Sequence, residues 1–229
     1  MNIWKLGSTI FFCSLFIGCA SVETKREAFP LMYDDTVKPL AILVAPAINK
    51  STAADAGELI NVTLTQPLSD NGYYVLPIAI ASEIFQAEGI VAGEQLLEAP
   101  MSLFSENFGA DAVLFVTINE WDKNYYVVAG NVTVGMSFVM LSTKDRQVLW
   151  SYDAQVVLNT SGQSSGFIIA DLISTAINTA VADYIPLAHQ VNGIAINTMP
   201  YGKYHPKTGQ DGDVKVVLTA AKEEAVKNE

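Results

Sequence analysis

Gly162-Gln163-Ser164-Ser165-Gly166 fits the pattern G-x-S-x-G, in which a serine on a sharp strand-to-helix turn is the nucleophile of a hydrolase. Asp171 or Asp183, then His189 or His205, follow in the Ser–Asp–His chain order of one type of catalytic triad. Three features oppose that chemistry. The strand before Ser164 reads as half of an antiparallel hairpin, whereas the nucleophile turn needs a central parallel strand. No glycine-rich segment follows an early strand to build an oxyanion hole, and "TSGQSSG" is ordinary loop and helix N-cap composition. His189 and His205 read as loop residues with no second ligand at metal spacing. There is no H-E-x-x-H, phosphate-binding loop or dinucleotide fingerprint. The sequence thus predicts no catalytic residue, no metal ligand and no cofactor, with a Ser164 hydrolase as the alternative.

The thiols point to different chemistry. The chain opens "MNIWKLGSTIFFCSLFIG", with one positive charge at Lys5, no acidic residue before Glu23 and an apolar core from Ile10 to Ile17. That is the layout of a secretory signal, and the apolar run is too short to span a bilayer. Gly18 followed by Cys19 resembles the lipobox of bacterial lipoproteins, with Phe16 where lipoboxes favour leucine and Leu15 one residue further back. The resemblance implies cleavage between Gly18 and Cys19, diacylglycerol on the Cys19 thiol and an acyl chain of the palmitate class on the new N-terminus. Each buried methylene then contributes about 0.8 kcal/mol, which makes several chains a durable anchor. Ala20 in place of aspartate after the cysteine implies the outer membrane by the sorting rules of diderm bacteria, with the domain facing the periplasm. Cys13 leaves with the signal, so the mature chain keeps no thiol for a disulfide.

Composition sets the remaining bounds. Half the residues are hydrophobic and 16% are charged, as in a globular domain large enough to bury a core. Acidic residues outnumber basic ones 24 to 13, which argues against nucleic acid and against charge-driven adhesion to anionic lipid. Residues 19–36 are polar and mixed in charge and read as a lipidated tether after a 1–18 signal. Residues 37–211 read as a single α/β domain, and 212–229 as a tail that is a frayed helix or disordered. Asp34–Asp35 and Glu223–Glu224 then sit in tether and tail as solvating charges.

Within 37–211, "VKPLAILVAP" reads as a strand buried on both faces and 52–69 as a helix. "DNG" is a turn and "YYVLP" a second strand; "AIASEIFQAEG" and "APMSLFSENFG" are helices, and "GADAVLFVTINEW" is the strongest strand. A hairpin follows, with Val132, Val134, Met136, Phe138 and Met140 on one face of its first strand. Val148, Trp150, Tyr152, Ala154, Val156 and Leu158 share one face of the second. Residues 167–185 repeat apolar side chains at helical spacing and Pro186 stops them, after which 192–213 is rich in turn formers. Ala176 and Ala180 give that helix a small-residue face. The order β-α-β-α-α-β, then hairpin, then helix, predicts an α/β fold with helices packed against a mixed sheet.

"QPLSDNGYYVLP", "FGADAVLFVTINEW", "RQVLWSYDA" and "MPYGKYHPKTGQD" together resemble a family of bacterial lipoproteins of unknown function, one branch of which is a surface-antigen vaccine candidate. The resemblance spans roughly residues 36–211. It implies a fold like the TolB N-terminal domain and curli-secretion lipoproteins. It also implies a homodimer and an accessory role in envelope assembly or secretion beside a curli-secretion-like lipoprotein. It brings no catalytic residue. For recognition, Tyr201, Lys203, Tyr204 and His205 crowd a loop punctuated by Pro200, Gly202 and Pro206, and Trp121 and Tyr125 flank a turn-like "DKN". Either these aromatics pack the loops onto the sheet, or they form a partner surface. An envelope-glycan site would require Trp121, Tyr125, Tyr201 and Tyr204 to be exposed together.

Overall fold

The structure, a computed structural model, describes residues 21–125, 130–159 and 185–218. The Thr24 hydroxyl accepts the Glu27 N–H at 3.3 Å while the Glu27 carboxylate accepts the Thr24 N–H at 2.9 Å. This reciprocal cap joins a strand, β1 (Ser21–Thr24), to one helical turn, α1 (Lys25–Ala28). A 3-10 turn over Pro30–Tyr33 follows, and Ala28, Phe29 and Met32 are buried in the main core. The segment expected to be a tether is therefore folded from Ser21 to Tyr33. Phe29 and Met32, three residues apart in a polar stretch, are what draw it inward.

Ile42, Leu43 and Val44 are all buried, which a strand achieves only when both its faces are covered. They form β2 (Ala41–Val44), with Ile42 and Val44 in one core and Leu43 in a second. After β3 (Ile48–Asn49), the helix α2 (Ala56–Asp70) leads to β4 (Tyr74–Val75). Ile60, Leu64 and Leu68 of α2 are buried at four-residue spacing while Val62 is exposed, the pattern of a helix with one covered face. Next come α3 (Ile78–Ala87), a 3-10 turn over Gly93–Leu96, and α4 (Ser102–Phe108), which ends on Gly109 at φ +66°. The long strands β5 (Ala112–Tyr125), β6 (Gly130–Ser142) and β7 (Val148–Asn159) complete a sheet ordered β4-β2-β5-β6-β7. β4, β2 and β5 are parallel, β3 pairs in parallel with β5 further along, and β5, β6 and β7 are antiparallel. This is the expected α/β fold with a mixed sheet.

Two irregularities decide which side chains are buried. Ala112, Leu114, Val116 and Ile118 alternate into the main core, and a register shift between Ile118 and Glu120 brings odd-numbered Trp121 onto the same side. Residues 122–124 are thus inside β5, not a turn. A second shift between Met140 and Leu141 pairs Leu141 with Val148, so Val148 is exposed and Leu149 takes the buried place. The sequence parity fails at that one residue.

The last elements depart most from expectation. The helix α5 is Ile185–Thr198, with Pro186 in its first turn, where the missing N–H costs nothing. Residues 167–184 of the expected helix, with Ala176 and Ala180, lie outside the described residues. Ala188, Val191, Ala195 and Ile196 are buried in the core that α2 shares. Asn192, a turn former in the sequence, is fully buried, and its Nδ2 donates to Thr63 Oγ1 at 2.8 Å and to the Ile60 carbonyl at 3.3 Å. Instead of a tail beginning at 212, Lys215–Leu218 form β8, antiparallel to β1, with Val216 and Leu218 buried.

Replacing Met32 by alanine separates a folded segment from a tether. Urea unfolding should show a loss of about 2–5 kcal/mol, as for other buried methionines. A change under about 0.5 kcal/mol, the usual effect of an exposed position, contradicts the fold given to residues 21–33.

Candidate functional site

The segment 199–211 is locked onto the Asn71–Tyr73 turn by backbone and side chain together. Gly202 N–H donates to the Asn71 carbonyl at 2.8 Å, and Tyr204 N–H to the Gly72 carbonyl at 3.0 Å. Asn71 Nδ2 donates to the Pro200 carbonyl at 3.2 Å, and the Tyr73 hydroxyl to the same oxygen at 2.6 Å. Gly72 has φ +88°, and a Cβ there would overlap the His205 backbone; one on Gly202 would overlap the Gly72 carbonyl. Both glycines are required by this contact.

Beneath the loop lies a buried charge cluster. Lys25 Nζ stands 3.2 Å from Asp211 Oδ2 and donates to the Met199 carbonyl at 2.8 Å. The same carboxylate accepts Tyr201 N–H at 2.9 Å and the Tyr33 hydroxyl at 3.2 Å. Burial lowers the Lys25 pKa, and the Asp211 charge opposes the shift. Burial raises the Tyr33 and Tyr73 hydroxyls above their ordinary value, and the Asp211 charge adds to both. Every group is held by a structural partner, so this cluster fastens the chain and offers no reactive proton.

The candidate recognition residues divide accordingly. Tyr201 and His205 stack with ring centroids 3.6 Å apart, and His205 Nδ1 accepts the Lys207 N–H at 3.1 Å. Both are packing residues of the loop. Lys203 and Tyr204 are exposed, Tyr204 at 65%. Trp121 is only 2% exposed, which removes it from any partner surface and breaks up the aromatic set a glycan site would need. Tyr125 ends β5.

The hydrolase geometry is not supported where it is described. β7, the strand before Ser164, is antiparallel to β6. His189 is exposed on α5 and not in a loop, and His205 Nδ1, which a triad needs as a donor to its carboxylate, is an acceptor. Ser164, Asp171 and Asp183 lie outside the described residues, as do Gly18 and Cys19. Among the described residues no group of three or more His, Cys, Asp or Glu side chains could hold a metal ion.

A second site has no signature in the sequence. A cleft of about 630 Å³ opens beyond the C-terminal ends of β2 and β4, where ligands bind in open α/β sheets. α2 and α3 cover opposite faces of the sheet and form its walls. Glu58, Glu83 and Glu94 place three carboxylates around it, with no lysine or arginine among the described lining residues. Val62 and Val91 add exposed apolar surface to the lining. The third wall, residues 90–94, is pinned where Gly93 packs against the Pro46 carbonyl, an approach any Cβ would block. These residues are distant in sequence, and only the crossovers bring them together.

The buried tyrosines fix the alkaline behaviour. In the folded chain Tyr33 and Tyr73 keep their protons above pH 10, where an unfolded tyrosine with the ordinary pKa of 10.0 loses its own. The folded state then binds more protons, so their contribution is present below about pH 10 and lost as pH rises. Burial raises Tyr152 as well, while Lys25 and Lys38, lowered by burial, act in the opposite sense, two groups against three. The urea midpoint should therefore fall as pH rises above about 10, and Tyr33→Phe should flatten that fall; an unchanged fall in the variant contradicts the assignment.

The family model described as "Putative lipoprotein GNA1162-like" matches residues 33–205. The "Putative lipoprotein NMB1124/NMB1162" of Neisseria meningitidis serogroup B is 28% identical over 158 residues, covering 69% of this chain and 73% of that protein. The crystal structure of lipoprotein GNA1162 from Neisseria meningitidis is similar at 27% identity and a TM-score of 0.51, over 63% of this chain and 100% of that one. The match takes in the sheet, the cleft and the locked loop as far as His205: the chain belongs to the GNA1162-like putative lipoprotein family.

Proposed function

We propose that the protein is anchored by acyl chains on Cys19 after cleavage behind Gly18, at the periplasmic side of the outer membrane. There it acts, without cofactor or catalysis, as an accessory in envelope assembly or secretion. Membership of a lipoprotein family supports the anchor. The observation that carries the binding role is the cleft: three carboxylates, no lysine or arginine among the described lining residues, and the exposed side chains of Val62 and Val91. Such a surface complements a cationic, amphipathic segment of another protein, whose apolar side chains replace water against the valines while its charges meet the carboxylates. The exposed Lys203 and Tyr204 are a second contact point, at the opposite ends of the parallel strands. The resemblance to envelope accessory lipoproteins makes a curli-secretion-like lipoprotein the expected partner, with this chain as a homodimer.

Photo-crosslinking in cells from a residue placed at Ser82, in the cleft wall, tests this reading. A crosslink to an envelope protein is expected, falling at least about tenfold in Glu58→Lys/Glu83→Lys, since reversing two charges costs more than about 1.4 kcal/mol of binding. Ser164→Ala should leave it unchanged. A crosslink insensitive to the reversals, or turnover of an ester substrate that Ser164→Ala abolishes, contradicts the proposal.

A further inference from the structure

The ribbon of β1 and β8 has two unlike faces. On one, Ser21 pairs with Leu218 and Glu23 with Val216, and both β8 side chains are buried in the main core. On the other, Val22 pairs directly with Val217, and Thr24 with Lys215. This face is open: Val22 is 61% exposed and Val217 41%. Directly opposed residues stand with Cβ atoms roughly 5 Å apart, so the two valines make one continuous apolar spot.

Chain length decides what covers it. Ser21 is two residues from Cys19. Two residues of fully extended chain reach at most about 7 Å. With acyl chains on Cys19, which is the proposed reading on which this step rests, the ribbon can stand off the hydrocarbon by little more than the depth of the headgroup layer, roughly 5–8 Å on each side of a bilayer. No tether intervenes, because the chain is already β-paired at Ser21. We infer that the Val22–Val217 face of the β1–β8 ribbon is a membrane-contact surface that seats the domain directly in the lipid headgroup layer. Lys215, exposed on the same face, lays its aliphatic stem along the valines and turns its ammonium to a lipid phosphate. The acyl chains hold the protein; the ribbon fixes its orientation. β1 and β8 both lie outside the family-matched residues 33–205, so the device belongs to the ends of this chain.

The mature chain offers an unusually clean test, since Cys13 leaves with the signal and Cys19 is acylated. Full-length protein carrying Val22→Cys, Val217→Cys or, as a remote exposed control, Val91→Cys is labelled with an environment-sensitive fluorophore. Each is reconstituted into phosphatidylethanolamine–phosphatidylglycerol vesicles containing a headgroup-depth quencher lipid. N-terminal mass spectrometry on the same samples reports the acyl chains. Quenching at positions 22 and 217 at least about threefold above that at 91 is expected for side chains at the headgroup boundary. Equal quenching at all positions with Cys19 acylated overturns the inference and leaves the anchor standing. A blue-shifted emission at 217 without lipid quenching also overturns it, because a second copy or residues 219–229 then cover the ribbon. An unacylated Cys19 removes the anchor and the inference together.

Discussion

Asp211 is the point to which both ends of the described chain are fastened. Its carboxylate is buried, and a buried charge is tolerated only when it is paired and hydrogen-bonded. It collects the Lys25 ammonium, the Tyr33 hydroxyl and the Tyr201 amide, drawn from the N-terminal turn, the 3-10 turn and the C-terminal loop. Taking away one partner of such a pair strands the other charge, which costs far more than the pair adds to stability, so the arrangement enforces one geometry. From it follow the seating of α1, the lock of residues 199–205 on the Asn71–Tyr73 turn, and the β1–β8 ribbon. Lys25 N–H and Arg26 N–H donate to the carbonyls of Val214 and Gly212, continuing the same tie beyond the carboxylate.

The sheet supplies the other half of the architecture. In its parallel part, β2 and the adjoining start of β5 are buried on both faces, with α2 and α3 on opposite sides, and the cleft opens where the parallel strands end. Its antiparallel part carries Phe138, Trp150 and Tyr152 as a tilted and stacked aromatic series against the main core. The molecule thus separates its tasks. One end of the parallel strands carries the locked loop, and the other carries an acidic, partly apolar cleft.

Much of this was legible in the sequence, and the parts that were not have physical reasons. Continuous apolar runs at 42–44 and 112–118 mark strands covered on both faces, and the alternation through Val134 to Met140 marks one covered on a single face. The register shifts beside Asn119 and Leu149 leave no local signature, so Trp121 reads as a surface aromatic and Val148 as a core residue. Residues 21–33 read as a tether because the partner that buries Lys25 lies 186 positions away. α5 reads as loop because Asn192, Gly193 and Asn197 favour turns in isolation, while the Asn192 bonds to α2 exist only in the folded chain. Glu58, Glu83 and Glu94 share no motif, and the cleft they surround comes from topology alone.

An anchored domain that presents the cleft to a protein partner must be shielded there in the envelope. Hydrogen–deuterium exchange of the acylated protein in native envelope vesicles, compared with the same protein purified in detergent, tests that shielding most directly. Added protection in the vesicles is expected over the first half of α2, over α3 and over residues 90–94, all of which border the cleft. Unchanged exchange across those segments, with new protection confined to other surfaces, would contradict a partner bound at the cleft.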